Sequence, residues 1–310
     1  MIEGQEGVTW EDWVRLARLT ERHGLEGLFR SDHYTAIIRP QAGALDAWAT
    51  LAGLAAVTER IRLGTLVSPS TFRHPSVLAR MAVTVDHISG GRVDVGMGAG
   101  WYEREHLEHG FPFLDAKQRF ALFAEQVEVV VSSWTTDAFD HSGPSYELRE
   151  QTALPRPVQK PHPPLVLGGT VMPRFAALAA RFADEVNTLG APNGELRERK
   201  ERLDHACREA GRDPGTLRFS VMTACFVGSD RGELLDRIGT FLSVRGGAAG
   251  AEEMLEERRG TWLAGTVAEV AARIRELEAL GVDRVMLQHL NHSDDDMVAL
   301  IGDQLMPALA

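Results

Sequence analysis

RLGTLVSPSTFRHPSVLARMAVTVDHISGGRVDVGMGAGW, residues 62–101, is the stretch whose reading decides the fold. An apolar, β-branched run from Ile61 to Val67, with Gly64 inside it, reads as a strand. Pro75 and Ser76 open a helix, since proline suits the first helical turn. From there Val77, Leu78, Met81, Val85 and Ile88 recur at helical spacing on one face. Ser89-Gly90-Gly91 ends that helix, and Val93-Asp94-Val95-Gly96 starts a second strand that runs into Gly98-Ala99-Gly100. Strand, helix and strand within about forty residues form the unit that builds a parallel sheet. The glycines fall where the second strand ends, the side on which barrels and open α/β sheets bind ligands.

Working outward, the same alternation continues. Met1 to Gly4 reads as the end of a short first strand, with Glu3 either near its active-site end or a solvated terminal residue. Thr9 caps a helix from Trp10 to His23, stopped by Gly24. A strand from Leu25 to Phe29 leads into Arg30-Ser31-Asp32-His33-Tyr34, and an Ala/Leu-rich helix covers Leu45 to Thr58. After Trp101 a polar loop is expected, holding Glu103, Arg104, Glu105, His106 and His109, before a helix from Ala116 to Trp134. Residues 137–164 change period and are rich in proline, so they read as an insertion containing a hairpin.

Further strands are expected at Leu165–Gly168, Glu185–Asn187, Leu217–Phe226 and Arg284–His289, with helices between them. Residues 246–260, small, charged and glycine-rich, read as a mobile, lid-like segment. Ala264-Gly265-Thr266 opens a helix that runs to Leu280, and Asp294 caps the last one. About eight strand–helix units result, the number a closed barrel requires. The expected fold is α/β, a (β/α)8 TIM barrel with insertion segments and a short first strand, spanning residues 1–310 as one domain.

Composition narrows the function. The chain has 310 residues, 44 % of them hydrophobic, enough for one large core or two smaller ones. Its net charge is −11 and it has no long Lys/Arg cluster, so nucleic acid is not expected as a partner. Cys207 and Cys225 lack metal-ligand spacing and read as reduced thiols. No apolar run approaches the ~20 residues that span a bilayer, and the N-terminus lacks a signal pattern. A soluble, cytoplasmic protein with no membrane partner is expected.

Several residues suit chemistry, each beside a plainer reading. His33, at a strand end, can move a proton near neutral pH, or it can be structural. Asp32 beside it suits orienting the loop. Leu66 and Val67 end a strand and read first as core. Gly96, Gly98 and Gly100 form GxGxG, not the dinucleotide GxGxxG, and fall after a later strand, so close approach of backbone to a ring or phosphate fits better. Gly168-Gly169-Thr170 ahead of a helix suits either a phosphate or a tight turn. His106 with His109, and His289 with His292, are spaced three apart, but a barrel zinc site needs His-x-His on its first strand, and none is present. Gln288 and Asn187, at strand ends, are pocket candidates, and Thr188 and His289 are of the same sort. No Gly-x-Ser-x-Gly elbow or Walker loop occurs.

Taken together, Leu63-Gly64-Thr65-Leu66-Val67, Arg73-His74-Pro75, Ser89-Gly90-Gly91-Arg92, Gly96-Met97-Gly98-Ala99-Gly100-Trp101, Ser31-Asp32-His33 and Pro163-Pro164-Leu165-Val166-Leu167-Gly168-Gly169 resemble the bacterial luciferase-like family of flavin- and deazaflavin-dependent oxidoreductases. The resemblance covers most of the chain in the family's order. It implies a full first strand, a homodimer, and a bulge at Leu66-Val67, often with a non-prolyl cis bond, behind the cofactor ring. It also implies His33 beside that ring as the catalytic residue. Asp32, Leu66, Val67, Gly98, Ala99, Gly100, Gly168, Gly169 and Thr170 would hold the cofactor, with the last three at its phosphate, and Trp101, Asn187 and Gln288 would line the substrate pocket.

The look of these segments points to coenzyme F-420 and hydride transfer to or from a small organic substrate. The alternatives are an FMN monooxygenase fed by a partner reductase, and a non-catalytic cofactor-binding protein. In one departure, Trp101 stands where the family's sugar-phosphate dehydrogenases carry a proton-donating glutamate. That makes the sugar-phosphate reaction doubtful and leaves Glu103 or Glu105 as substitutes from a loop, or simply as solvated carboxylates.

Overall fold

The Thr9 hydroxyl accepts a hydrogen bond from the Asp12 amide and the Asp12 carboxylate accepts one from the Thr9 amide, so a capping box fixes the start of α1 (Trp10–Arg22). The structure is a computed structural model that describes residues 1–39, 41–246 and 250–310. Trp13, Leu16, Ala17 and Thr20 form the buried stripe of α1. The chain then alternates: β1 (Gly27–Arg30), α2 (Ala47–Val57), β2 (Arg62–Thr65), the short β3 (Ser68–Pro69), α3 (Pro75–Ser89) and β4 (Val93–Gly98). Next come α4 (Glu103–His109), α5 (Ala116–Thr135), an antiparallel hairpin of β5 (Ala138–Ser142) and β6 (Glu147–Thr152), β7 (Leu165–Gly168), α6 (Pro173–Phe182) and β8 (Glu185–Leu189). The last third is α7 (Asn193–Glu209), β9 (Arg218–Gly228), α8 (Arg231–Arg245), α9 (Ala251–Glu257), β10 (Leu263–Thr266), α10 (Val267–Ala279), β11 (Arg284–Gln288) and α11 (Asp295–Leu300), which continues through one π-helical turn into α12 (Met306–Leu309).

The main sheet runs β1-β2-β4-β7-β8-β9 with every pairing parallel, and β9 carries β11 along its first half and β10 along its second. Ile2 bridges Arg30 on one side and His289 on the other, so a first strand of a single paired residue joins the two ends of the curled sheet. The expected short first strand is therefore seen. Strands covered on both faces read as near-continuous apolar runs, and Val93, Val95, Met97, Leu165, Val166, Leu167 and Val186 are all fully buried.

Side chains fill the barrel in layers. At the amino ends of the strands Arg284 reaches Glu185 at 2.8 Å and Asp94 at 3.5 Å, and Arg62 also grips Asp94. Above this charged layer Phe29, Leu66, Val166 and Met286 form an apolar one, flanked by Val67 and Met222. Charge closes the bottom, hydrocarbon fills the middle, and the carboxyl-terminal mouth stays open.

Four local expectations are corrected. The face of α3 is rotated: Val77 and Ile88 are exposed, while Leu78, Ala79, Ala82, Val83 and Val85 are buried, because α3 packs between α2 and α5. The segment after Trp101 is no loop but α4, stopped by Gly110 at φ 71°. In the lid-like segment, residues 247–249 lie outside the described residues. The rest includes α9, whose Met254 packs with Leu234, Phe241 and Leu242 as part of the core. Finally, Leu263–Thr266 forms a strand against β9 before α10 begins.

Candidate active site

The strand ends around the mouth enclose a cavity of about 690 Å³. It brings together His33, Leu66, Val67, Gly98, Ala99, Gly100, Trp101, Gly168, Gly169, Thr170, Asn187 and Gln288 from stretches spread along the whole chain. Of the residues singled out as catalytic, cofactor-binding or pocket-lining, Asp32 and His289 are missing from the lining. A second cavity, of about 600 Å³, lies under the seam around Ile2 between β1, β11 and α1, and His289 lines this one instead.

His33 follows β1 at the mouth. Its Nδ1 lies 2.8 Å from Oε2 of Glu105, whose side chain is wholly buried. The other oxygen of Glu105 accepts from the amides of Tyr34 and Thr35, so α4 clamps the loop that carries His33. Among the described residues Nε2 of His33 has no hydrogen-bond partner. Burial disfavours the charged imidazolium, but the hydrogen bond and charge of Glu105, helped by Glu3 and Asp32, outweigh it and raise the His33 pKa above its ordinary 6.5. The same bonds hold the Glu105 carboxyl below its usual range against the effect of its own burial. Glu105 is neither a loop acid facing the cavity nor a solvated carboxylate: it is a buried helix residue bonded to His33 and to the amides beside it.

Asp32 turns away from the cavity. It takes both ends of the Arg73 guanidinium, at 2.6 and 3.1 Å, and the Ser68 hydroxyl at 2.6 Å. Arg73 also binds Asp46 and the Tyr34 hydroxyl, and burial of this fork is offset by those acidic partners. The Asp32-His33 and Arg73-His74-Pro75 segments thus form one unit. Arg73 pins the loop through Asp32, His74 caps α3 through the Ser76 amide, and Pro75 occupies the first turn. Asp32 is an anchor for the His33 loop.

The Leu66–Val67 peptide bond is cis, as the resemblance implies. The Val67 side chain lies over three glycines. A Cβ on Gly98 would stand 2.6 Å from a Val67 methyl, one on Gly168 2.7 Å, and one on Gly96 3.0 Å. The glycines were expected to admit a ligand; what they admit is Val67. That side chain then presents an apolar surface to the cavity, beside Leu66 and Met222.

The family signature described as Luciferase-like monooxygenase matches residues 2–284. The chain belongs to that family.

Among relatives, an uncharacterized protein of Mycobacterium tuberculosis is 33 % identical over 184 residues, 54 % of this chain and 64 % of that protein. The match thus spans less than two thirds of that relative's length. An FMNH(2)-dependent dimethylsulfone monooxygenase of Pseudomonas putida is 25 % identical over 98 % of this chain and 89 % of its own. An F420-dependent glucose-6-phosphate dehydrogenase of Amycolatopsis mediterranei is 32 % identical over 54 % of this chain and 51 % of its own. Of solved structures, monooxygenase RslO1 from Streptomyces bottropensis superposes with a TM-score of 0.83 at 25 % identity, covering 97 % of this chain and 94 % of that one. An F420-dependent secondary alcohol dehydrogenase superposes with a TM-score of 0.82 at 19 % identity, over 100 % and 98 %, and speaks for the fold alone. The luciferase-like family thus contains oxidoreductases and monooxygenases that use F420 or FMN.

The rest of this luciferase-like site is polar on one side. Gln288 donates to Glu3 at 2.5 Å, Gln5 donates to Glu3 at 2.8 Å, and Ser31 donates to Gln5. Glu3, read as either a site residue or a solvated terminus, lines the cavity. Asn187 donates to Ser220 and Thr188 accepts from Arg199, which also lines the cavity. Gly168, Gly169 and Thr170 sit between the main cavity and a side pocket beneath Pro173 and Phe175 at the start of α6. His106 bonds Thr71 and the Tyr102 carbonyl, a structural role, and no metal-binding cluster exists among the described residues. Likewise no described helix is long and apolar enough to cross a membrane.

Proposed function

We propose that this protein transfers a hydride between coenzyme F-420 and a small organic substrate, with His33 handling the accompanying proton. The observation that carries this reading is the His33–Glu105 pair, which holds a proton on a ring whose free nitrogen borders the cavity. A hydride alone cannot reduce a carbonyl or activated alkene: a proton must reach the other atom of the double bond. In the reverse direction the same nitrogen removes that proton. The raised pKa favours the protonated imidazole more than in a free ring, so the ring holds the proton it has to give.

The residues present fit such a cofactor. A flat tricyclic ring needs an apolar wall, polar groups at its edge, and an anion site for its tail. Val67 with Leu66 and Met222 makes the wall, Gln288 and Asn187 lie on the polar side, and the Thr170 amide ahead of α6 suits a phosphate, the Gly169 amide being bonded to the Asn187 carbonyl. When bound, the deazaflavin supplies the two electrons as hydride and is oxidised as the substrate is reduced; the protein orients it and holds the proton.

An FMN-dependent monooxygenase is the second reading, favoured by the end-to-end match to the dimethylsulfone enzyme. Oxygen uptake separates the two. With reduced cofactor and substrate, hydride transfer proceeds anaerobically and consumes no oxygen, whereas a monooxygenase stops without oxygen and needs a reductase to resupply reduced flavin. A non-catalytic binding protein would show no turnover for His33→Ala to abolish. A homodimer completes the proposal, with the exposed Val77 and Ile88 of α3 as apolar surface for it to cover.

A further inference from the structure

The apolar side chains at the mouth are the most unusual feature of the surface. Trp101 lines the cavity yet is 62 % exposed, and Leu189 and Ile37, on other walls of the same cavity, are 63 % and 44 % exposed. A single exposed apolar residue means little, but several around one opening mark a binding surface.

The Trp101 indole is held on one side. It stacks on Tyr102, with ring centroids 5.2 Å apart at 30°, and presents its edge region to His33 at 5.9 Å and 79°. The proton-bearing imidazole and the exposed indole are therefore neighbours, and a molecule lying against the indole would reach Nε2 of His33.

Charge argues against an anionic guest. Besides His33, the cation lining the cavity is Arg199, and it is already bound to Thr188, to the Leu189 carbonyl and to Glu195. Near His33 the further charged groups acting on it are the acids Glu105, Glu3 and Asp32, the last already paired with Arg73. A phosphate or carboxylate next to His33 would face these carboxylates and, among the described residues, find no free guanidinium or ammonium lining the cavity.

We infer that the substrate is an uncharged molecule with a flat, aromatic ring that stacks on Trp101 and points its polar atom at His33, which makes Trp101 the specificity-determining residue. This inference rests on the proposed hydride-transfer site and deepens it. Trp101 touches the substrate's ring and not the reacting bond, so its loss should raise KM more than it lowers kcat.

The test uses calorimetric titration of the cofactor-loaded protein with two probes, 2-naphthaldehyde and glucose 6-phosphate. The expected result is that the aldehyde binds and the sugar phosphate does not. Trp101→Ala should weaken aldehyde binding about tenfold or more, and Trp101→Phe should restore it to within about threefold. Cofactor titration of each variant, followed by its own fluorescence, should match the unaltered protein. Aldehyde binding that is absent, or is unchanged in Trp101→Ala, overturns the inference, as does binding of glucose 6-phosphate. If neither F-420 nor FMN binds the unaltered protein, the hydride-transfer reading fails, and the same aldehyde titration on cofactor-free protein still reads Trp101 separately.

Discussion

Nδ1 of His33 is 2.8 Å from Oε2 of a Glu105 side chain that no solvent reaches. That pairing sets the pH range in which Nε2 carries a proton. Glu105→Gln keeps an oxygen for the Tyr34 and Thr35 amides but removes the charge, leaving burial to depress the imidazolium. The His33 pKa therefore falls. If the protonated ring is the working form, the high-pH limb of kcat/KM moves to lower pH; if the neutral ring works, the low-pH limb moves the same way. A pH profile that stays in place in Glu105→Gln excludes His33 as the titrating group.

Val67 and the glycines beneath it should be energetically coupled. Gly98→Ala places a methyl 2.6 Å from a Val67 methyl, an overpacking expected to destabilise by about 1–3 kcal/mol. Val67→Ala clears that space, so the double variant should recover most of the Gly98→Ala loss. A double-mutant cycle by urea denaturation reads the coupling. Simple additivity would show that Val67 does not occupy the glycine cradle.

The Asp32–Arg73 pair is nearly free of solvent, with side chains 1 % and 9 % exposed. Asp32→Asn leaves the guanidinium with Asp46 and the Tyr34 hydroxyl and should cost about 3 kcal/mol, in the range for breaking a buried pair. Arg73→Lys cannot reproduce the fork to Asp32 and should rescue little. Chemical denaturation of both variants checks this, and a loss under about 0.5 kcal/mol in Asp32→Asn, typical of a surface pair, would contradict it.

His289 is buried, and neither ring nitrogen has a hydrogen-bond partner among the described residues. Burial pushes its pKa down to about 4. The unfolded chain therefore binds a proton on this ring between about pH 6.5 and 4 while the folded chain does not. Stability is lost as pH falls through that window, on the order of 3 kcal/mol from this group. His289→Leu should lessen the fall in melting temperature between pH 7 and pH 5. An unchanged fall would place the acid sensitivity elsewhere.

What the sequence revealed depended on local signals. Thr9, Pro75, Gly90 and the apolar strands announced their elements because caps, prolines and burial on both faces act within a few residues. The cavity lining was legible for the same reason, since strand ends in a barrel converge. Glu105 was not: its partner lies 72 residues away, and its helix is seven residues long, polar, and looks like a loop. Nor was the destination of Val67, because glycines that admit a side chain and glycines that admit a ligand read alike. The segment 251–257 looked mobile from its charges, yet Met254 tethers it to a core assembled from α8.

The proposed cofactor site at the barrel mouth is tested most directly by a fluorescence titration of the purified protein with coenzyme F-420 and, separately, with FMN, repeated on Gly168→Ala. Saturable binding of the deazaflavin in preference to FMN is expected, and its loss in the variant, where an added methyl meets Val67 at 2.7 Å. Preference for FMN would move the protein to the monooxygenase reading, and binding of neither would contradict a cofactor site at this mouth.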